Sequence, residues 1–162
     1  MSAVACGLAL AAVATAAGAR PAAVRAAGCT TSGLVVWMDT QGDGAAGSIY
    51  YTLEFTNQSG RTCSLVGFPG VSAVDLHGRR LGSAAARTPS PARVVALPDG
   101  ATASAVLQIA EAGNFPASAC HRVAAAGLRV YPPNQTAAKV IPLPFEACAR
   151  TGPVFLHVRA VA

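Results

Sequence analysis

Five cysteines, three histidines, a glycine-rich loop and one serine in a hydrolase-like setting are the residues whose types and spacing bear on chemistry. Cys29, Cys63, Cys120 and Cys148 stand far apart, and Cys6 lies in an apolar leader. No two form the Cys-x-x-Cys pair that a low-pKa redox thiol usually requires, so the four downstream cysteines are read as structural cystines. His77, His121 and His157 share neither the i, i+4 nor the alternate-residue spacing of a local ligand pair. A metal site would need them to converge with Met38 or a carboxylate, and each is read as solvated.

Gly42-Asp-Gly-Ala-Ala-Gly47 matches the dinucleotide pattern G-x-G-x-x-G. That chemistry needs a helix N-terminus next, to receive the pyrophosphate, whereas an alternating strand pattern follows, so no cofactor is expected. Asp39 and Asp43 in the same loop lack the ligand-rich arrangement of a calcium loop. Gly70-Val-Ser72-Ala-Val74 begins like a nucleophile elbow, but Val74 stands where the closing glycine belongs and no helix follows, so Ser72 is read as a strand residue. Asn57-Gln-Ser59 and Asn134-Gln-Thr136 have the form of glycosylation sequons and are read as turns. No catalytic, cofactor or metal residue is therefore assigned.

These groups sit in a chain of 162 residues, 52% of them hydrophobic. That suits a single domain burying about two thirds of its unfolded surface. Residues 2–18 are almost wholly Ala, Val, Leu and Gly, too short for a comfortable membrane span and followed by Arg20, Pro21 and Arg25. They read as a secretory leader cleaved after Ala19, with a short disordered tail to Ala27 and the domain from residue 28 onward. No Lys or Arg precedes the apolar run, so an Ala-rich helix within the domain is the competing reading. Cys6 and Cys29 are poor lipid-attachment sites, the first too near the start and the second separated from the leader by arginines. From residue 28 onward 10 basic residues face 7 acidic ones, leaving +3 of the whole chain's +5. The basic residues are scattered and not interleaved with aromatics, so no nucleic-acid footprint is expected.

Beyond the leader, short apolar runs separated by Gly, Pro, Asn and Asp clusters mark an all-β domain. Strands are expected over residues 34–38, 49–56, 62–66, 71–76, 94–97, 128–131, 139–143 and 154–161, with 40–48 a loop and 81–91 an edge strand running into a loop. Ile49, Tyr51, Leu53 and Phe55 fall on one face of the second of these. Residues 102–110 alternate as a strand, although their alanines also suit a capped helix, and the strand is preferred. Residues 111–126 read as a long connection with room for one helical turn.

The expected fold is an all-β, immunoglobulin-like antiparallel β-sandwich of about eight or nine strands with two disulfides. Its core candidates are Trp37, Tyr51, Leu53, Phe55, Leu65, Val74, Leu97, Leu107, Leu128, Val130, Ile141, Leu156 and Val158. Four cysteines allow three pairings, and proximity in the chain favours Cys29 with Cys63 and Cys120 with Cys148.

The run Asp43-Gly-Ala-Ala-Gly-Ser48, then Leu53-Glu-Phe-Thr-Asn57, then Thr62-Cys-Ser-Leu-Val-Gly-Phe-Pro-Gly-Val71 resembles a family of exported actinobacterial proteins catalogued as domain of unknown function 4232. The resemblance continues through Leu97-Pro-Asp-Gly100, Ala103 to Leu107, Cys120, Leu128-Arg-Val-Tyr-Pro-Pro133 and Cys148. Pro98-Asp99-Gly100 departs slightly from the Pro-Gly pair associated with that turn. The resemblance implies a secreted or lipid-anchored β-sandwich with the disulfide pairing above. It carries no catalytic residue to any position here.

The expectation is a monomeric, non-catalytic secreted or cell-envelope-associated module that binds or spaces an extracellular ligand, without an integral membrane span. Two other classes remain open. One is an extracytoplasmic metal-handling protein using His77, His121, His157 or Met38. The other is a hydrolase whose groups converge only in three dimensions.

Overall fold

The fold is taken from a computed structural model, which describes residues 26–162. The expected leader over residues 2–18, its cleavage point after Ala19, Cys6, Arg20 and Arg25 lie outside the described residues. In chain order the strands are β1 (Leu34–Met38), β2 (Asp43–Ala45), β3 (Ser48–Asn57), β4 (Cys63–Leu65), β5 (Gly70–Val74), β6 (Arg80–Leu81), β7 (Ala86–Arg87), β8 (Val95–Leu97), β9 (Thr102–Ala110), β10 (Arg122–Tyr131), β11 (Lys139–Cys148) and β12 (Leu156–Val158). One four-residue helix, α1 (Ala117–Cys120), and 3-10 turns at Thr31–Gly33 and Ala112–Asn114 complete the secondary structure of the described residues.

Alternation builds the larger sheet. Along β3, Leu53, Phe55 and Asn57 are buried while Tyr50 and Thr52 are exposed, as the period-two geometry of a strand dictates. β3 runs antiparallel to β9 in unbroken register from Ser48↔Ala110 to Thr56↔Thr102. The sheet order is β1-β3-β9-β12-β7, with β2 also paired to β3. The strand reading of residues 102–110 holds because β3 and β12 hydrogen-bond β9 from either side, and Ala103 and Ala105 serve as small inward fillers.

The second sheet has the order β11-β10-β5-β6, and β4 pairs with β8 as a separate ribbon. The inward residues of both main sheets belong to one core, in which Leu53, Phe55 and Leu107 meet Val71, Leu128 and Val130. This is the face-to-face packing of a β-sandwich.

Several expectations change in detail. Residues 40–48 are not all loop. Asp43–Ala45 folds back on β3 through Ala46 and Gly47, whose φ values of 47° and 73° match the twist of a two-residue hairpin. β10 begins at Arg122 and not at residue 128, and β11 runs on to Cys148, because the two pair along almost their full length. Twelve strands stand among the described residues where about eight or nine are expected, the additions being short ones such as β2 and β6. Among the named strands of the described residues one pair, β12 with β7, is parallel, as is the isolated bridge between Gly28 and Ser64. The tail expected to run loose to Ala27 is tied at its end, where the Ser64 N–H donates to the Ala27 carbonyl at 2.8 Å and the Ser64 hydroxyl to that of Ala26 at 3.0 Å.

Of the core candidates, Trp37 is a correction, being 45% exposed. Tyr51 is half-buried, and the remaining candidates are buried. Phe155 and Leu34, absent from the expected core, are among its largest fully buried side chains.

Candidate functional site

The cysteines pair as Cys29–Cys63 and Cys120–Cys148, all four buried. The first bridge ties the chain's entry into the domain to β4, and the second ties the end of α1 to the end of β11. Their sulfurs act as braces, with no free thiolate to attack a substrate.

The structure disperses the histidines. His77 lies in the β5–β6 turn, where Asp75 Oδ1 accepts from the backbone N–H groups of His77 and Arg79, both at 2.9 Å. His121 follows α1 in the left-handed conformation, with φ 49°. His157 lies in β12, opposite Gln108 on one side and Ala86 on the other. Met38 is buried. Among the described residues no three His, Cys, Asp or Glu side chains gather as metal ligands would. Ser72 lies within β5 opposite Arg129, a strand position and not the sharp turn of a nucleophile elbow. Gly42 to Gly47 contains β2 and the turn of the β2–β3 hairpin, and Asp39 Oδ1 accepts from the Gln41 N–H at 3.0 Å.

Polar and aromatic side chains come together instead on the outer face of the larger sheet. Pairing puts Trp37 of β1 opposite Glu54 of β3, and Glu54 opposite Ser104 of β9. The next outward row is Thr52 with Val106, and the one beyond it is Tyr50 with Gln108. The Trp37 indole N–H donates to Thr56 Oγ1 at 3.0 Å, and the hydroxyls of Thr56 and Thr102 share a hydrogen bond of 2.9 Å. The ring is thus held by its edge across three strands while its surface stays open to water. Burial pushes the Glu54 carboxyl above its ordinary 4.5.

A cleft of about 320 Å³ elsewhere is bordered by Phe68, Arg87, Tyr131, Asn134 and Gln135. There the Arg87 guanidinium lies 5.4 Å from the centre of the Phe68 ring, a cation–π contact. Its two amides are engaged in holding the fold. Asn134 Nδ2 donates to the Val66 carbonyl at 3.1 Å, and Gln135 Oε1 accepts from the Thr31 N–H at 3.3 Å. The cleft is a junction of loops, whereas on the sheet face Trp37, Thr56 and Thr102 bond one another, Gln108 Nε2 donates to Ser48 Oγ at 3.0 Å, and the Thr52 hydroxyl and Glu54 carboxyl make no side-chain hydrogen bond among the described residues.

Sequence reasoning missed the orientation of Trp37 for a definite reason. Leu34-Val-Val-Trp-Met38 is apolar at every position, so nothing in it marks which alternate set turns inward. Pairing with the alternating β3 decides, placing Val36 with Phe55 and Trp37 with Glu54. The usable signal lies in the neighbouring strand.

Fold and surface define a disulfide-braced β-sandwich domain whose larger sheet presents an aromatic and polar outer face. The family model described as Domain of unknown function (DUF4232) matches residues 29–161, and the chain belongs to that family. No curated protein and no solved structure matches it. Among the described residues no helix is long and apolar enough to cross a membrane.

Proposed function

We propose that this chain is a non-catalytic, monomeric module of immunoglobulin-like build, exported by an actinobacterial cell, which binds its ligand at the cell envelope through the outer face of the larger sheet. The observation that carries this reading is Trp37, a large aromatic side chain turned away from the core and fixed there by its hydrogen bond to Thr56. A locked, exposed aromatic ring gains contact area on binding at little cost in side-chain freedom. The two buried cystines support an oxidising compartment, because such bonds are reduced in most cytosols.

The test is retention of the purified, disulfide-bonded protein on isolated cell-wall and membrane fractions. Retention is expected and is lost in Trp37→Ala while far-ultraviolet circular dichroism stays unchanged. Indifference to every fraction, or turnover of a substrate by the purified protein, overturns the reading.

A further inference from the structure

Resting on that reading, we propose that the outer face of β1, β3 and β9 binds an uncharged, hydroxyl-rich glycan chain, with Trp37 and Tyr50 as stacking platforms and the Glu54 carboxylate beside Trp37 accepting from sugar hydroxyls. A pyranose ring offers two patches of C–H groups on its faces and a rim of hydroxyls. Ring-sized apolar surfaces with donors and acceptors beside them are its complement.

The sheet supplies that alternation by register. Trp37 and Glu54 share one row, and Tyr50 and Gln108 share another. Four residues of β3 separate the rows, or about 14 Å at roughly 3.4 Å per residue. That is room for more than one sugar ring, and the hydroxyl of Thr52 lies on the way. Trp37 and Tyr50 are 45% and 36% exposed, so both rings offer surface.

Charge selects the class of glycan. Outward positions of β1, β3 and β9 hold Glu54 and neutral side chains, without a lysine or arginine among them. His157 and Arg159 lie beyond, at the β12 border. A phosphorylated or uronic polymer would meet the Glu54 carboxylate beside Trp37 and that of Asp43, which β2 places opposite Tyr50. A neutral chain would find an acceptor there, made stronger by its partial burial.

Trp37 is the sole tryptophan of the chain, so its emission reports the site directly. The disulfide-bonded protein is titrated with neutral β-linked hexasaccharides of glucose and N-acetylglucosamine, a neutral mannan and, for comparison, polygalacturonate. A saturable blue shift is expected with at least one neutral glycan. Calorimetry with that glycan is expected to show affinity reduced at least about tenfold by Trp37→Ala and several-fold by Tyr50→Ala and Glu54→Gln. Trp37→Phe retains part of the affinity. Leu76→Ala, which alters a 91% exposed side chain in the β5–β6 turn, leaves it unchanged.

An unmoved emission with every neutral glycan overturns the inference, as does equal or tighter binding of polygalacturonate. Trp37-dependent retention on an envelope fraction that is abolished by protease and not by glycosidases leaves the binding-module reading standing and removes the glycan. Loss of Trp37-dependent retention altogether removes both.

Discussion

The side chain of Asn57 donates from Nδ2 to the Leu97 carbonyl at 2.8 Å, joining the end of β3 to the end of β8. Its other proton goes to the Arg61 carbonyl at 2.8 Å, and its Oδ1 accepts from the Ser59 N–H at 3.0 Å. The residue is wholly buried, so one amide satisfies three backbone groups that water does not reach freely. Asn57→Ala is expected to lower stability by about 1 to 3 kcal/mol, because the buried Leu97 carbonyl loses its partner, while the half-buried Arg61 carbonyl and Ser59 N–H can turn to water. Equilibrium denaturation reads this as a lower midpoint at unchanged slope. The same burial makes Asn57 a closed glycosylation site in the folded domain, despite its sequon.

Removing either cystine lengthens the free unfolded chain by a similar amount. The bridges span 34 and 28 residues of sequence separation, so each is expected to contribute about 3.5 to 4 kcal/mol through chain entropy. Cys29→Ala with Cys63→Ala, and separately Cys120→Ala with Cys148→Ala, should each lower the denaturation midpoint markedly. Non-reducing peptide mapping of each double variant should still find the other bridge. A scrambled bridge in either one contradicts the independence of the two braces.

The bulge in the β10–β11 pair admits no side chain. The register shifts between Ala125 and Gly127, and a Cβ on Gly127 would fall on the Ile141 carbonyl oxygen. That is a backbone atom of β11, which cannot swing aside as a side chain would. Gly127→Ala is expected to cost about 2 to 4 kcal/mol, the range of overpacking with enforced backbone shifts. Hydrogen exchange should show lost protection along β10 and β11 first.

Two carboxyls pull the acid limb of the stability curve in opposite directions. Hydrogen bonds from the Arg79 backbone N–H, the Arg79 guanidinium and the His77 backbone N–H hold Asp75 below its ordinary 3.8. Its contribution is complete above 3.8 and is lost as pH falls through the lower folded value. Partial burial holds Glu54 above its ordinary 4.5. Its carboxyl therefore favours the folded state most when protonated, and that contribution is lost as pH rises from 4.5 through the raised folded value. Denaturation midpoints across the acid range should show Asp75→Asn removing part of the acid-side loss and Glu54→Gln removing part of the opposing trend. Carboxyl titration by nuclear magnetic resonance should place Asp75 below and Glu54 above the ordinary values.

Much of this protein was legible from local pattern. β3 alternates, its pattern alone marks Leu53 and Phe55 as inward, and the turn glycine Gly60 has the positive φ of 73° that its place suggests. The tie between β3 and β8 was less so. Asn57 reads as a turn former, yet it ends a strand in extended backbone and acts through its side chain on Leu97, 40 residues away.

What the sequence by itself determined is what a strand's own period and a count of cysteines encode: an all-β domain, most of its core, and enough cysteines for two cystines, whose pairing proximity suggested and the structure decided. Only the tertiary structure decided which face of the uniformly apolar β1 meets water, where β10 begins, and that Trp37, Glu54 and Tyr50 share one surface. The physical reason is register. Alternation is a property of one strand, whereas the choice of face and the company a side chain keeps are set by hydrogen bonds to a partner strand far away in the chain.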